Sequence, residues 1–153
     1  MDFDAILKKF TATVEQADYE AFGNLFTEDG VYHDGFYGAF EGREAVVGML
    51  REHFHGAAIN YKWVMEEGVY QEPIGYARYI FSYDFKLEGD ETQHVVFEGM
   101  SQFTIKDGRI ACYREMFDKG IPLTQLNFPA ERIAKSLSRW TDELLSSDRA
   151  KKM

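Results

Sequence analysis

Apolar residues at Phe3, Ile6, Leu7, Phe10, Val14 and Ala17 recur at spacings of three and four, which paints one face of a helix. Asp2 stands where a cap is wanted, and Asp18 closes this helix and caps a second, short one with the stripe Phe22, Leu25 and Phe26. Thr27-Glu28-Asp29-Gly30 predicts a turn, and Val31 to Asp34 a short strand. The next stretch, Gly35 to Gly42, mixes three glycines with the aromatics Phe36, Tyr37 and Phe40. It suits either a lid or pocket rim, or a loop folded onto the core. A third helix is predicted from Arg43 to Phe54.

Beyond it the period switches to two. Ile59, Tyr61, Trp63 and Met65 alternate with polar neighbours, as do Ala77, Tyr79, Phe81, Tyr83, Phe85 and Leu87. Such runs predict antiparallel strands whose two faces differ. Gly89-Asp90 turns the chain into a strand from Thr92 to Ile105, and Asp107-Gly108 predicts a tight hairpin. A last helix starts near Pro129, with Ile133, Leu137, Trp140 and Leu144 as its seam. That seam covers either this sheet or a second copy of the chain.

Helices followed by long antiparallel strands predict an α+β fold, with a curved sheet wrapped over the N-terminal helices and a cavity between them. No repeat or linker divides the chain, so residues 1–128 are read as one domain and 129–153 as a C-terminal helical extension of it.

Composition narrows the function. The 153 residues include 13 Phe and 9 Tyr, and the formal net charge is −9. An acidic chain repels phosphate backbones and anionic membranes, so neither nucleic acid nor membrane is an expected partner. The basic run Arg149 to Lys152 is read as a chain end. The longest apolar runs are too short to span a bilayer, and the acidic start Met1-Asp2-Phe3-Asp4 does not resemble a signal peptide. The single cysteine, Cys112, precludes an internal disulfide, and a cytoplasmic location is expected. Apolar residues on both strand faces, such as Val96 and Met100 against Phe97 and Phe103, lead us to expect a homodimer.

The Asp107-Gly108 turn sets a register. Ile105 opposes Ile110, Phe103 opposes Cys112, Ser101 opposes Arg114, Gly99 opposes Met116 and Phe97 opposes Asp118. On this register Phe97, Phe103 and Met116 form the concave face, which Arg114 and Asp118 share; a bulge would move the outer pairs by one. Asp118 has two readings, an acid/base on an apolar wall or a strand-end aspartate that points to water or pairs with Arg114 or Lys119. Asp34, on the same side of its strand as Tyr32, is the second candidate acid and carries the same alternative. Four scattered histidines show no ligand spacing, so no metal is expected, and no cofactor motif is present.

Two segments carry a family resemblance. Leu25-Phe26-Thr27-Glu28-Asp29-Gly30-Val31-Tyr32-His33-Asp34, and Gly99 to Ile110 running into Tyr113-Arg114-Glu115-Met116-Phe117-Asp118, resemble the nuclear-transport-factor-2-like, SnoaL-like superfamily. The resemblance implies a cystatin-like cone. It also places Asp34 at the position of the ketosteroid isomerase general base, while Phe10 and Ser101 stand where that enzyme has its oxyanion tyrosine and protonated aspartate. Loss of both donors disfavours a steroid isomerase. Asp118 resembles the acid/base aspartate of SnoaL-like polyketide cyclases.

The expected function is therefore a cofactor-independent lyase, isomerase or cyclase acting on a hydrophobic, polyketide-like carbonyl compound. Asp118 and Asp34 would move protons, with Tyr32, Tyr37 and Trp63 shaping the cavity. A non-catalytic module that binds a hydrophobic small molecule or a protein is the alternative. Epoxide hydrolysis is a third, and needs an arginine between two pocket aspartates.

Overall fold

The computed structural model describes residues 1–153. Helix α1 spans Phe3–Glu15 and α2 spans Tyr19–Asn24, each capped by the expected aspartate. Asp2 Oδ1 accepts from the Ala5 amide and Asp18 Oδ1 from the Ala21 amide, both at 3.0 Å. Helix α3, Arg43–Met49, widens into a π turn over Leu50–Phe54. Six strands follow or intervene: β1 Phe26–Asp34, β2 Gly38–Glu41, β3 Ala58–Gln71, β4 Ile74–Lys86, β5 Thr92–Lys106 and β6 Arg109–Phe117. Two helices close the chain, α4 Gly120–Gln125 and α5 Ala130–Leu145.

The strands form one sheet in the order β2-β1-β6-β5-β4-β3, antiparallel except for the parallel pair β1 and β6. Alternation puts Ala77, Tyr79 and Phe81 of β4, with Phe97, Ser101 and Phe103 of β5, on the buried face. Helix α1 lays its stripe against them. Phe10, with no exposed surface, has the rings of Phe22, Phe26, Tyr32, Trp63, Phe103 and Tyr113 within 6.5 Å. Removing such a ring leaves a void that costs about 3–5 kcal/mol. Register breaks after Ile59 and Glu66 bulge β3 and deepen the curvature.

Helix α1 stops short of Ala17, which has φ 54°, and Phe26, expected on the α2 stripe, opens β1 instead. Four further details depart from the sequence pattern. Thr27 to Gly30 is a bulged part of β1: the pairing with β6 jumps from Phe26↔Ile110 to Val31↔Cys112. Part of the glycine-aromatic loop, Gly38–Glu41, pairs with β1 as an edge strand. Helix α4 is fastened by Gln125, whose side-chain amide accepts from the Val96 amide at 2.9 Å and donates to the Val96 carbonyl at 2.7 Å. Helix α5 buries none of its residues; its Trp140 leans on Phe36 at 6.1 Å, while Leu137 and Leu144 stay 48% and 65% exposed.

The largest departure is the register of β5 against β6. The Asp107-Gly108 turn has positive φ at both residues and pairs Lys106 with Arg109 and Ile105 with Ile110, as expected. Then Ala111 is left over, and Thr104 pairs with Cys112, Phe103 with Tyr113, Ser101 with Glu115 and Gly99 with Phe117. The bulge sits beside the turn, and Gly99 pairs continuously with Tyr79 on its other side. One extra residue reverses the outer half of β6, because side chains alternate. Tyr113, Glu115 and Phe117 therefore face inward, and Arg114, Met116 and Asp118 do not.

Candidate active site

Strand β1 ends at Asp34, where the chain turns sharply. The amides of Phe36 and Tyr37 donate to Asp34 Oδ1 at 2.8 and 3.0 Å, leaving Oδ2 free of protein hydrogen bonds. The preceding amide, Gly35, donates across to Glu115 Oε1 at 3.3 Å. Three consecutive amides are thus divided between two carboxyls. Gly35 permits this approach, since a Cβ there would lie 2.4 Å from Phe117 Cε1.

Glu115 Oε2 receives the hydroxyls of Tyr79 at 3.2 Å and Tyr113 at 3.3 Å, and Tyr113 shares a 2.9 Å hydrogen bond with Ser101. Gly99 makes room for the first of these, because a Cβ there would meet the Tyr79 hydroxyl at 2.6 Å. The Tyr32 hydroxyl is buried with no protein partner.

Burial pushes the Glu115 carboxyl up to about 8, the charge of Asp34 pushes the same way, and the Gly35 amide and two tyrosines pull against them. Burial also raises Asp34, opposed by its two amide donors and by the nearby His53 and Lys119 side chains. At neutral pH the pair keeps one proton. The charge belongs on Asp34, which has two amide donors on one oxygen, and the proton on Glu115. Desolvation holds Tyr79, Tyr113 and Tyr32 above the usual phenol range, so they remain neutral donors.

Two hollows adjoin at this pair. One is a cavity of about 70 Å³ inside the sheet, walled by Tyr61, Trp63, Phe81, Tyr83, Phe97 and Phe117 beside the two acids. It has room for a small apolar group or a few waters. The other is an open groove of about 810 Å³ between Arg114, Met116 and His33 on one side and Arg139, Trp140 and Glu143 of α5 on the other. Asp34, Phe36, Tyr37 and Glu115 line both.

The predicted residues divide accordingly. Asp34, Tyr37, Trp63 and Phe97 line the cavity. Phe10, Tyr32 and Phe103 lie in the core behind it, and Ser101 borders the groove while bonding Tyr113. Arg114 and Met116, expected on the concave wall, face the groove, with Met116 81% exposed. Asp118, expected beside them, is exposed and lines neither hollow; its Oδ1 accepts from the Gly120 amide at 2.9 Å. The sequence reading missed Glu115, Tyr79, Tyr113, His53 and Lys119. The signal was present in Tyr113-Arg114-Glu115-Met116-Phe117, where the bulkier aromatic alternate flanks an acid. No cluster of three or more His, Cys, Asp or Glu side chains could hold a metal ion.

A curved sheet closed over helices around an acid-bearing aromatic cavity defines the nuclear-transport-factor-2, ketosteroid isomerase-like fold. Within that class the chain belongs to the SnoaL-like domain family, whose sequence profile matches residues 7–113. No curated protein matches the sequence. Among solved structures, a Catenulispora acidiphila protein with a ketosteroid isomerase-like fold, in complex with trimethylamine, superposes with a TM-score of 0.73 at 17% identity, covering 82% of this chain and 95% of its own. A Shewanella denitrificans protein provisionally assigned as a SnoaL-like polyketide cyclase gives 0.71 at 12% identity, over 81% and 96%. An epoxide hydrolase of Mycobacterium tuberculosis similar to limonene epoxide hydrolase gives 0.67 at 16%, over 80% and 86%. At such identities the likeness is one of fold.

Proposed function

We propose that this protein is a cofactor-independent proton-transfer enzyme, an isomerase, cyclase or lyase that enolises a hydrophobic carbonyl compound. The observation that carries this reading is the placement of two unequal carboxyls, Asp34 and Glu115, at the mouth of the aromatic cavity. Asp34 Oδ2 takes a proton from the carbon next to the carbonyl, and the C–H electrons pass to the carbonyl oxygen. Protonated Glu115 donates to that oxygen while Tyr79 and Tyr113 hold it in place, so a neutral acid serves as the oxyanion donor. The proton then returns to another carbon, or the enolate carbon attacks a second carbonyl of the same molecule. Glu115 supplies an oxyanion donor of the kind whose absence from positions 10 and 101 disfavoured a steroid isomerase.

The rival readings fit less well. A plain binding pocket has no need of two acids held above their ordinary range, and epoxide hydrolysis needs an arginine between two acids, whereas no arginine lines the cavity. The test is exchange of the α-protons of 2-butanone, small enough for the cavity, in D₂O, followed by NMR. The protein should accelerate exchange over buffer, and Asp34→Asn should lower the rate by about 100-fold or more. Exchange by Asp34→Asn at the wild-type rate would remove the proposal.

A further inference from the structure

The groove outside the cavity carries a charge pattern that, Lys119 apart, proton transfer does not use. Its lining includes Arg114, Lys119, Arg139 and Arg149, against Glu143 and the single charge kept by the Asp34–Glu115 pair. The chain as a whole stands at −9. Its ion pairs are Arg78–Glu98, His94–Asp84 and Arg139–Glu143, the last at 3.9 Å, so Arg114, Lys119 and Arg149 have no carboxylate partner. Lys119 lies instead 4.2 Å above the Trp140 ring, and Arg114 donates to Cys112 Sγ. Gathering like charges around one hollow is repulsive unless something negative enters it. The groove also offers apolar surface in Trp140, Met100 and Met116, so it suits an anion with a carbon skeleton better than a bare ion.

We propose that this groove receives the anionic end of the substrate. The substrate is then an amphiphilic carbonyl compound, with its apolar reacting end in the aromatic cavity and an oxyanion, carboxylate or phosphate, held by Arg114, Arg139 and Arg149. This rests on the function proposed above and names its substrate class. Strand β6 serves both ends, since Glu115 faces the cavity and Arg114 the groove. Phe36, packed between Phe117 at 5.3 Å and Trp140 at 6.1 Å, is the partition the ligand passes. Lys119 stands nearer the acids and favours the ionised form of Asp34.

The chain's two tryptophans, Trp63 in the cavity and Trp140 in the groove, give each hollow its own fluorescent reporter once the other is replaced by phenylalanine. The probes are hexanoate and hexanamide, slender enough for the cavity, nearly isosteric and differing in charge. At low salt the carboxylate should bind at least about fivefold tighter, as a few partly exposed charge contacts allow. Both probes should perturb Trp63. The preference should vanish in Arg114→Ala/Arg149→Ala and at about 0.5 M salt, while the amide's affinity holds. Ranking hexyl phosphate against the carboxylate identifies the preferred oxyanion.

Equal affinities for acid and amide, with Trp63 still responding, would overturn the anionic end and leave the cavity reading intact. A carboxylate that perturbs Trp140 but not Trp63 would overturn the spanning ligand. Silence of Trp63 toward both probes would strike the cavity reading itself.

Discussion

Replacing Glu115 by glutamine isolates the proton that the buried pair holds. Gln is close in shape to the neutral acid and cannot ionise. In the folded protein the Glu115 carboxyl is raised from 4.5 to about 8. Below pH 4.5 it is protonated whether the chain is folded or not, so its environment costs nothing there. Between pH 4.5 and 8 the unfolded chain releases the proton and the folded chain keeps it. Stability therefore falls as pH rises through this window and levels off above it. Full conversion of the shift gives about 5 kcal/mol. Glu115 shares its proton with Asp34, so only part of that shift is its own and we expect about 2–4 kcal/mol.

The assay is urea unfolding of wild type and Glu115→Gln at intervals from pH 5 to pH 9. The stability of wild type minus that of the variant should drop by that amount across the range. Titrations that Glu115 does not influence, including His33, whose pKa burial lowers and whose slope has the opposite sign, cancel in the difference. The amide must also face the Tyr79 and Tyr113 hydroxyls, which adds a pH-independent offset of about 1–2 kcal/mol. A difference that stays flat from pH 5 to pH 9 would refute the reasoning.

Gly35→Ala places a methyl 2.4 Å from Phe117 Cε1 and should cost about 1–3 kcal/mol in urea while reducing ketone exchange, because the Gly35 amide no longer reaches Glu115; unchanged stability and exchange would contradict the close approach. The outward residues Ile59, Val64 and Ile80 of β3 and β4 are 41%, 51% and 46% exposed, a patch that a second copy should cover. Light scattering at micromolar concentration should give twice the monomer mass, and a monomer would count against this.

What the sequence disclosed was local. The α1 stripe from Phe3 to Val14, the Asp2 and Asp18 caps and the Asp107-Gly108 turn depend on neighbours a few residues apart, and all stand in the structure. What it concealed depends on distant partners. Helix α4 contains Gly120 and Pro122, poor helix formers, and persists with Gln125 paired to the Val96 backbone. The edge strand β2 exists only beside β1. The site was half legible: Asp34 lies at the end of a readable strand, whereas Glu115 lies beyond a bulge. Both alternates of β6 carry apolar residues around a charge, Cys112-Arg114-Met116 on one side and Tyr113-Glu115-Phe117 on the other. Alternation cannot choose between them when one unpaired residue, Ala111, decides the face.

That single residue makes Asp118 the sharpest control for the site. On an unbulged hairpin Asp118 would oppose Phe97 on the concave wall, and Asp118→Asn would remove the catalytic acid. On the observed hairpin its carboxylate lies outside both hollows and accepts only from the Gly120 amide. Asparagine keeps an oxygen that can accept there, so the loss of stability should stay within about 0.5 kcal/mol. Ketone exchange should remain within about twofold of wild type, while Asp34→Asn falls by about 100-fold. The same exchange assay run on both variants separates the two registers without any knowledge of the natural substrate. An Asp118→Asn variant as inactive as Asp34→Asn would place the acid on the wrong side chain and undo the register with it.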